Sequence, residues 1–426
     1  MSVGAETRLA SSASGRGKGG RGVSARSGTS SADTGRLIGS PAGFSIVELL
    51  VAMGIALSLT ATALTLVQDV QFGFTRESER GDMQQRLRVA GDVIHRDLLM
   101  AGAGTSQSAR LGPLGFFVPS VLPFRQGAQN AHPAGTFRAD TLSILYVPGT
   151  TSAHATTRQP VSAASGAVPV NLGPGCPPGD SACGFAAGMD VIIYDDTASY
   201  DTFRIASVSG DWLQLRHDSI DTSHVYPIGA TIVEAISHTY YLKTDVASDS
   251  SQLMRYDGAG SDVAVVDHVV ALSFAYYGDP NPPLLVKPIT DPIGPWTTYG
   301  PKPPPVDEQL SLYPTGENCA FQLDAVGLHV PRLPVLAGGL GTAPVGLMEG
   351  QLTDGPWCPD ATNPHRFDAD LLRIRKVDVT LRVESALSAL RGPAGLLFTR
   401  GGTSRSGERW LPDFEVRFSV APRNLN

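Results

Sequence analysis

The residues with the most pointed chemistry lie near the N-terminus. Gly43-Phe44-Ser45-Ile46-Val47-Glu48-Leu49-Leu50-Val51 opens an apolar run that lasts to about Val67, and from Phe44 to Val67 the only ionisable side chain is Glu48. Roughly 24 residues as a helix rise about 36 Å, enough to cross the ~30 Å hydrocarbon core of a bilayer. A carboxylate in such a segment costs about 2.5–3.5 kcal/mol at the bilayer centre and less near an interface, so it calls for a partner. Cleavage between Gly43 and Phe44 would create one: a positive α-amino group close to Glu48 along the chain.

Elsewhere the reactive residue types are scattered. There is no Gly-x-Ser-x-Gly elbow, His-Glu-x-x-His helix or Walker loop. The nine histidines are dispersed, His217 and His224 being the nearest pair. Asp195-Asp196, the Asp257…Asp262 loop, and Asp360, Asn363, Asp368 and Asp370 offer oxygens of the kind calcium takes, without the spacing of an EF-hand. Gly15-x-Gly17-x-x-Gly20 spells a dinucleotide fingerprint, but no strand precedes it and no helix follows. Neither an enzyme nor a cofactor is expected.

Cys176, Cys183, Cys319 and Cys358 all follow the apolar run, and no Cys-x-x-Cys is present. Disulfides are expected rather than a metal site. Of the three pairings that four cysteines allow, sequence order favours Cys176–Cys183 and Cys319–Cys358. The second would close a loop of about 40 residues, worth roughly 3–4 kcal/mol.

The chain of 426 residues is long enough for two or three domains, and its 42% hydrophobic content is that of a water-facing protein outside the one span. A net charge of −7 argues against a nucleic-acid grip over the whole surface. Residues 1–43 are basic, with Arg8, Arg16, Lys18, Arg21, Arg26 and Arg36 against Glu6 and Asp33. Such a flank is retained in the cytoplasm, which places the bulk of the chain on the far side, in the periplasm. Residues 1–42 lack hydrophobic periodicity and are expected to be disordered, with Val23 an alternative initiator.

Beyond the span, Met83, Leu87, Ala90, Ile94, Leu98 and Ala101 recur at steps of three and four, which predicts a helix with one apolar stripe. Asp82–Arg86 and Asp92–Arg96 are spaced for i,i+4 pairs, Gly81 and Gly91 for bends, and Gly102 or Gly104 for the stop. From Thr141 the period becomes two. Strands are predicted over Leu142–Val147, Val191–Tyr194, Thr202–Val208, Trp212–Arg216, Ile232–Leu242 and Val269–Tyr277, with a hairpin turn at Ser209-Gly210-Asp211. Residues 280–365 are rich in proline and glycine and read as a loop-rich insertion. Alternation then returns at Val377, Val379, Leu381 and Val383, and at Phe414, Val416, Phe418 and Val420.

Gly43, Phe44, Glu48 at the fifth position after the cut, and the uninterrupted apolar helix together resemble the signal of type IV prepilins and pseudopilins. Leu87-Arg88-Val89-Ala90…Asp97-Leu98-Leu99-Met100-Ala101-Gly102, the module over Gly188–Arg216, the Leu253–Tyr256 and Val269–Asp279 segments, and the terminal Arg423-Asn424 resemble PilW-type minor pilins; Leu99 stands where that pattern has arginine. The resemblance implies an α+β fold, a long N-terminal membrane-spanning helix packed on a mainly antiparallel β head with a loop-rich insertion. It implies a leader over 1–43, a span over 44–67, a periplasmic continuation over 68–104, a head over 105–279, the insertion over 280–365, and closing strands over 366–426. It further implies cleavage after Gly43 by a prepilin peptidase, N-methylation of Phe44, and contact of Glu48 with the Phe44 amine of a neighbouring pilin during assembly. The expected place is the inner membrane, then the pilus at the cell surface, at its initiation or tip. The alternatives are a J-type minor pseudopilin of type II secretion, for which similar wording occurs, and a displayed adhesin or DNA-capture module, the one setting in which nucleic acid would be a partner.

Overall fold

The computed structural model describes residues 43, 45–104, 114–116, 118–124, 139–148, 153–162, 165–172, 176, 179–180, 182–195, 200–216, 225–245, 250–258, 261–285, 299, 313–314, 316–336, 343–358 and 366–425. The chain forms two compact units, residues 1–66 and 67–426. It is α+β: a long N-terminal apolar helix, then a mainly antiparallel β region.

The helix, α1, runs from Ile46 to Met100. Ser45 starts it as an N-cap, its Oγ accepting the Val47 N–H at 3.3 Å. Past Met100, Gly102 adopts φ +72°, the left-handed conformation glycine tolerates, and donates its N–H to the Leu145 carbonyl at 3.1 Å. Asn424 Nδ2 faces the Leu99 and Ala101 carbonyls at 3.5 Å, so the Arg423-Asn424 ending lies against the end of α1.

The strands, in chain order, are β1 (Val121–Pro123), β2 (Leu142–Tyr146), β3 (His154–Thr157), β4 (Ala167–Leu172), β5 (Asp190–Tyr194), β6 (Tyr200–Ser209), β7 (Trp212–Arg216), β8 (Thr231–Glu234), β9 (Ile236–Asp245), β10 (Ser250–Tyr256), β11 (Asp262–Asp267), β12 (Val269–Gly278), β13 (Phe321–Leu323), β14 (His329–Pro331), β15 (Val345–Leu347), β16 (Trp357–Cys358), β17 (Phe367–Asp368), β18 (Ile374–Val383) and β19 (Phe414–Val420). One sheet has the order β1-β2-β9-β10-β11 and another β15-β12-β18-β19. Both share one core with the stripe of α1, in which Met83, Ala90, Ile94, Leu98 and Ala101 are fully buried and Leu87 partly so.

Between the neighbours β2 and β9 the chain leaves this sheet and builds a closed six-stranded barrel, β3-β4-β7-β6-β5-β8, around its own core of Val168, Val191, Ile193, Phe203, Leu213 and Ile232. The expected single strand Ile232–Leu242 is therefore two. Its first part closes the barrel, its second belongs to the sheet, and the buried Ala235 makes the crossing. Gly210 (φ +61°) and Asp211 turn β6 into β7, Ser209 pairing with Trp212.

The segment 280–365 is tied into the head. β15 extends the four-stranded sheet beside β12, and Leu333, Leu336, Leu347 and Leu352 enter the main core. Cys319 and Cys358 are joined there, with Cα atoms 5.3 Å apart; Cys176 and Cys183 are joined at the barrel, 4.7 Å apart. One expectation about α1 changes, its ion pairs. The helix runs without interruption through Gly81 and Gly91, and a Cβ added at Gly91 would stand 3.6 Å from the Phe418 ring. Arg86 pairs with Glu79 rather than Asp82, and Asp92 with Arg88 rather than Arg96.

Candidate functional site

At the N-terminal end, Gly43 is exposed and Phe44 lies outside the described residues, as do residues 1–42 with the glycine fingerprint. Glu48 sits in the first turn of α1, near the positive end of the helix dipole. Every residue from Ser45 to Ser78 is exposed, Ile46 by 78% and Leu66 by 66%. Burial of so much apolar surface must come from lipid or from other chains. The hydroxyls in this stretch are already satisfied: Ser58 donates to the Ile55 carbonyl at 2.8 Å, Thr60 to Ala56 at 2.7 Å and Thr65 to Thr62 at 2.9 Å. In hydrocarbon, where no water can take those protons, that arrangement removes their cost. Among the described residues α1 alone is long and apolar enough to span a membrane. With the two disulfides in the part that follows, it supports a single-pass membrane protein with an extracytoplasmic domain.

Within residues 67–426, α1 is bound to the head at both ends of its stripe. Near the start, Glu79 accepts the Ala386 N–H at 2.7 Å and pairs with Arg86 at 3.1 Å. Near the end, Asp97 is buried between β2 and β9. Its carboxylate accepts from the Tyr240 hydroxyl at 2.5 Å and the Tyr146 hydroxyl at 3.3 Å, with His238 Nδ1 at 2.5 Å. Burial alone would raise the Asp97 carboxyl. The bonds from His238 and Tyr240, the His238 charge and the Tyr146 bond together outweigh it and hold the pKa below the usual value. The tyrosine hydroxyls respond in the opposite sense, pushed up by burial and then by the Asp97 charge. An aspartate against a histidine suggests half of a catalytic triad, but the other donors here are two tyrosines aimed at the same carboxylate. The arrangement fixes the helix on the sheet.

The calcium candidates resolve differently. Asp257 Oδ1 accepts the Ser261 N–H at 3.0 Å, and its other oxygen lies 3.6 Å from Arg204. Asp195 is buried and has partners, and Asp196, Asp360, Asn363, His217 and His224 lie outside the described residues. Asp354, Asp368 and Asp370 bring carboxylate oxygens within 4.8 Å of one another. Both oxygens of Asp368 already accept backbone N–H groups, from Asp370 at 2.9 Å and Gly355 at 2.7 Å, and Asp370 faces Arg373 Nε at 2.5 Å. Arg373 is fully buried and donates to the Pro280 and Pro334 carbonyls, stitching the 280–365 segment to the sheet. Burial, above all, pushes Asp368 up to about 7 and Asp370 to about 6.

Sequence reasoning did not single out Glu79 or Asp97 as anchors. The signal was available: both fall in register with the apolar stripe (79, 83, 90, 94, 97, 101), where an acid must find a buried partner. No family model matches this chain, and no curated protein or solved structure matches it either.

Proposed function

We propose that this chain is a minor type IV pilin of the PilW kind, a structural subunit that works by assembly rather than turnover. The observation that carries this reading is the capped helix that begins three residues after Gly43, holds Glu48 in its first turn and is exposed on every side through its apolar run. Cleavage after Gly43 by a prepilin peptidase would leave the Phe44 amine as the new N-terminus. Between neighbouring subunits that amine and Glu48 satisfy each other, sparing each a buried unpaired charge. The apolar helices then bundle with those of other pilins as the subunit leaves the inner membrane. The head, with its barrel and its tied-in insertion, is too large to repeat easily along a thin fibre, which favours the initiation complex or the tip.

The test is Glu48→Ala, followed by fractionation and immunoblotting of sheared pili. Membrane insertion and cleavage should persist while incorporation into fibres is lost; incorporation at the wild-type level would refute the role of Glu48. Tracking whether deletion abolishes twitching or protein secretion would separate the pilus from the J-type secretion fibre.

A further inference from the structure

Among the described residues the two main sheets end in four free edges, β1 and β11 on one and β15 and β19 on the other. An unpaired edge shows a row of backbone N–H and C=O groups that another chain can pair with, so proteins blunt it with short strands, proline, bulges or charge. Three of these edges are blunted. β1 and β15 have three residues each and β1 ends on Pro123, while β11 carries an aspartate at each end and meets β10 through a shift of register. β19 is the exception, with seven residues, no proline and no break in its register with β18.

The core face of β19 is also incomplete. β18 buries Val377, Val379, Leu381 and Val383 fully, whereas Phe414, Val416 and Phe418 of β19 are only half-buried. What leaves them so is a groove of about 600 Å³ between β19 and α1, lined by Leu87, Arg88, Gly91 and Asp92 of the helix and by Val416 and Phe418 of the strand. Arg88 and Asp92 lie 3.8 Å apart and cancel, so the wall of the groove asks for apolar residues. On the other face of β19, Glu415 and Arg417 are exposed and bond each other at 2.8 Å. A further strand laid along β19 would send alternate side chains into the groove and set the others beside Glu415 and Arg417. Its backbone would take up the groups of β19 that face away from β18.

We infer that the free edge of β19 is a strand-acceptor site: it takes an extended segment of a partner protein, antiparallel like the rest of its sheet, that reads apolar–acidic–apolar–basic–apolar. The apolar residues fill the groove along α1, the acid stands opposite Arg417 and the base opposite Glu415. Opposite charges across a strand pair stabilise it and like charges directly opposite do the reverse, so this order selects the segment and its register. β19 itself reads Phe414-Glu415-Val416-Arg417-Phe418, but a second copy is the wrong donor. β19 runs in the direction of α1, since Gly91 faces Phe418 and Leu99 and Ala101 face Asn424. Two copies paired antiparallel through β19 would therefore point their α1 helices in opposite directions, whereas copies anchored by α1 in one membrane enter it the same way.

The experiment uses the full chain in detergent and a synthetic peptide reading Cys-Val-Glu-Val-Lys-Val-Thr, whose cysteine stands opposite Ser419 when its glutamate stands opposite Arg417. The four native cysteines are paired, so Ser419→Cys supplies one free thiol. The control is Val326→Cys, in the exposed turn between β13 and β14. Disulfide cross-linking of the peptide at 419 but not at 326 is expected. Adding Arg417→Glu to the Ser419→Cys chain should lower the yield about fivefold, and a peptide with lysine in place of its glutamate should restore it. Equal cross-linking at 419 and 326, or none at either, overturns the acceptor edge. A yield at 419 that Arg417→Glu leaves unchanged refutes the charge pattern and its register. A chain that sediments as a dimer without peptide, and as a monomer once Arg417→Glu is made, gives the edge to a second copy and overturns the partner strand.

Discussion

Asp97→Ala is the sharpest perturbation of the head. It removes one acceptor from three donors: the hydroxyl of Tyr240, which is fully buried, the hydroxyl of Tyr146, and His238 Nδ1. Tyr240 keeps an interaction with Arg255, but its own proton loses its acceptor. Each donor left unpaired costs about 1–3 kcal/mol, the partly exposed His238 and the long Tyr146 bond at the low end. The sum is about 3–5 kcal/mol, the range seen when one partner of a buried charged network is removed. Against a total stability of roughly 5–15 kcal/mol this is a large fraction. Thermal unfolding of the detergent-solubilised chain, followed by tryptophan fluorescence, should show a midpoint lowered by roughly 5–10 °C. Asp97→Asn, which keeps one oxygen in place, should lose about half as much. The pH dependence has a definite sign. Because the folded carboxyl is held below its usual value, its contribution is complete above about pH 4 and is lost only as pH falls below that. A loss in Asp97→Ala of less than about 1 kcal/mol would refute the account of the network.

The disulfides should differ in weight: replacing Cys319 and Cys358 by serine should cost about 4 kcal/mol, and replacing Cys176 and Cys183 about 2.5 kcal/mol, since the closed loops differ in length; equal losses in urea unfolding would contradict this. Asp368 and Asp370 act on stability in the opposite direction from Asp97. Their carboxyls are raised in the folded state, to about 7 and about 6, so stability should rise as pH is lowered from 8 towards 5, and Asp368→Asn should flatten that slope. A wild-type midpoint that falls over this interval would show that the two aspartates are not kept neutral by burial.

Local patterns in the sequence carried much of the architecture. The stripe Met83–Ala101 was legible because a helix repeats its buried face every three or four residues, and the two strands because β18 buries alternate residues and β19 half-buries them. Ser209-Gly210-Asp211 was legible as a turn because Gly210 needs a positive φ. The barrel was not. β3 and β4 are short, β4 contains Pro169, and closure depends on β8 meeting β3 and β5, pairings that no local period encodes. The break at Ala235 was invisible for a related reason: no glycine, proline or other turn residue separates β8 from β9, which part only in the body each joins. Asp97 and Glu79 were read past because charge on a helix usually faces water; their place in the apolar register was the clue. At the N-terminal end the helix itself was legible, since the apolar run carries one ionisable residue, Glu48, and that residue falls in its first turn.

The central claim is that Glu48 finds its partner in an amine that exists only after cleavage. N-terminal sequencing and intact mass of the chain purified from membranes test it directly. The account predicts a polypeptide that begins at Phe44 and carries one methyl group on its amine. A purified chain that still begins upstream of Phe44 would contradict it, leaving Glu48 without the charge that its place in the apolar helix requires.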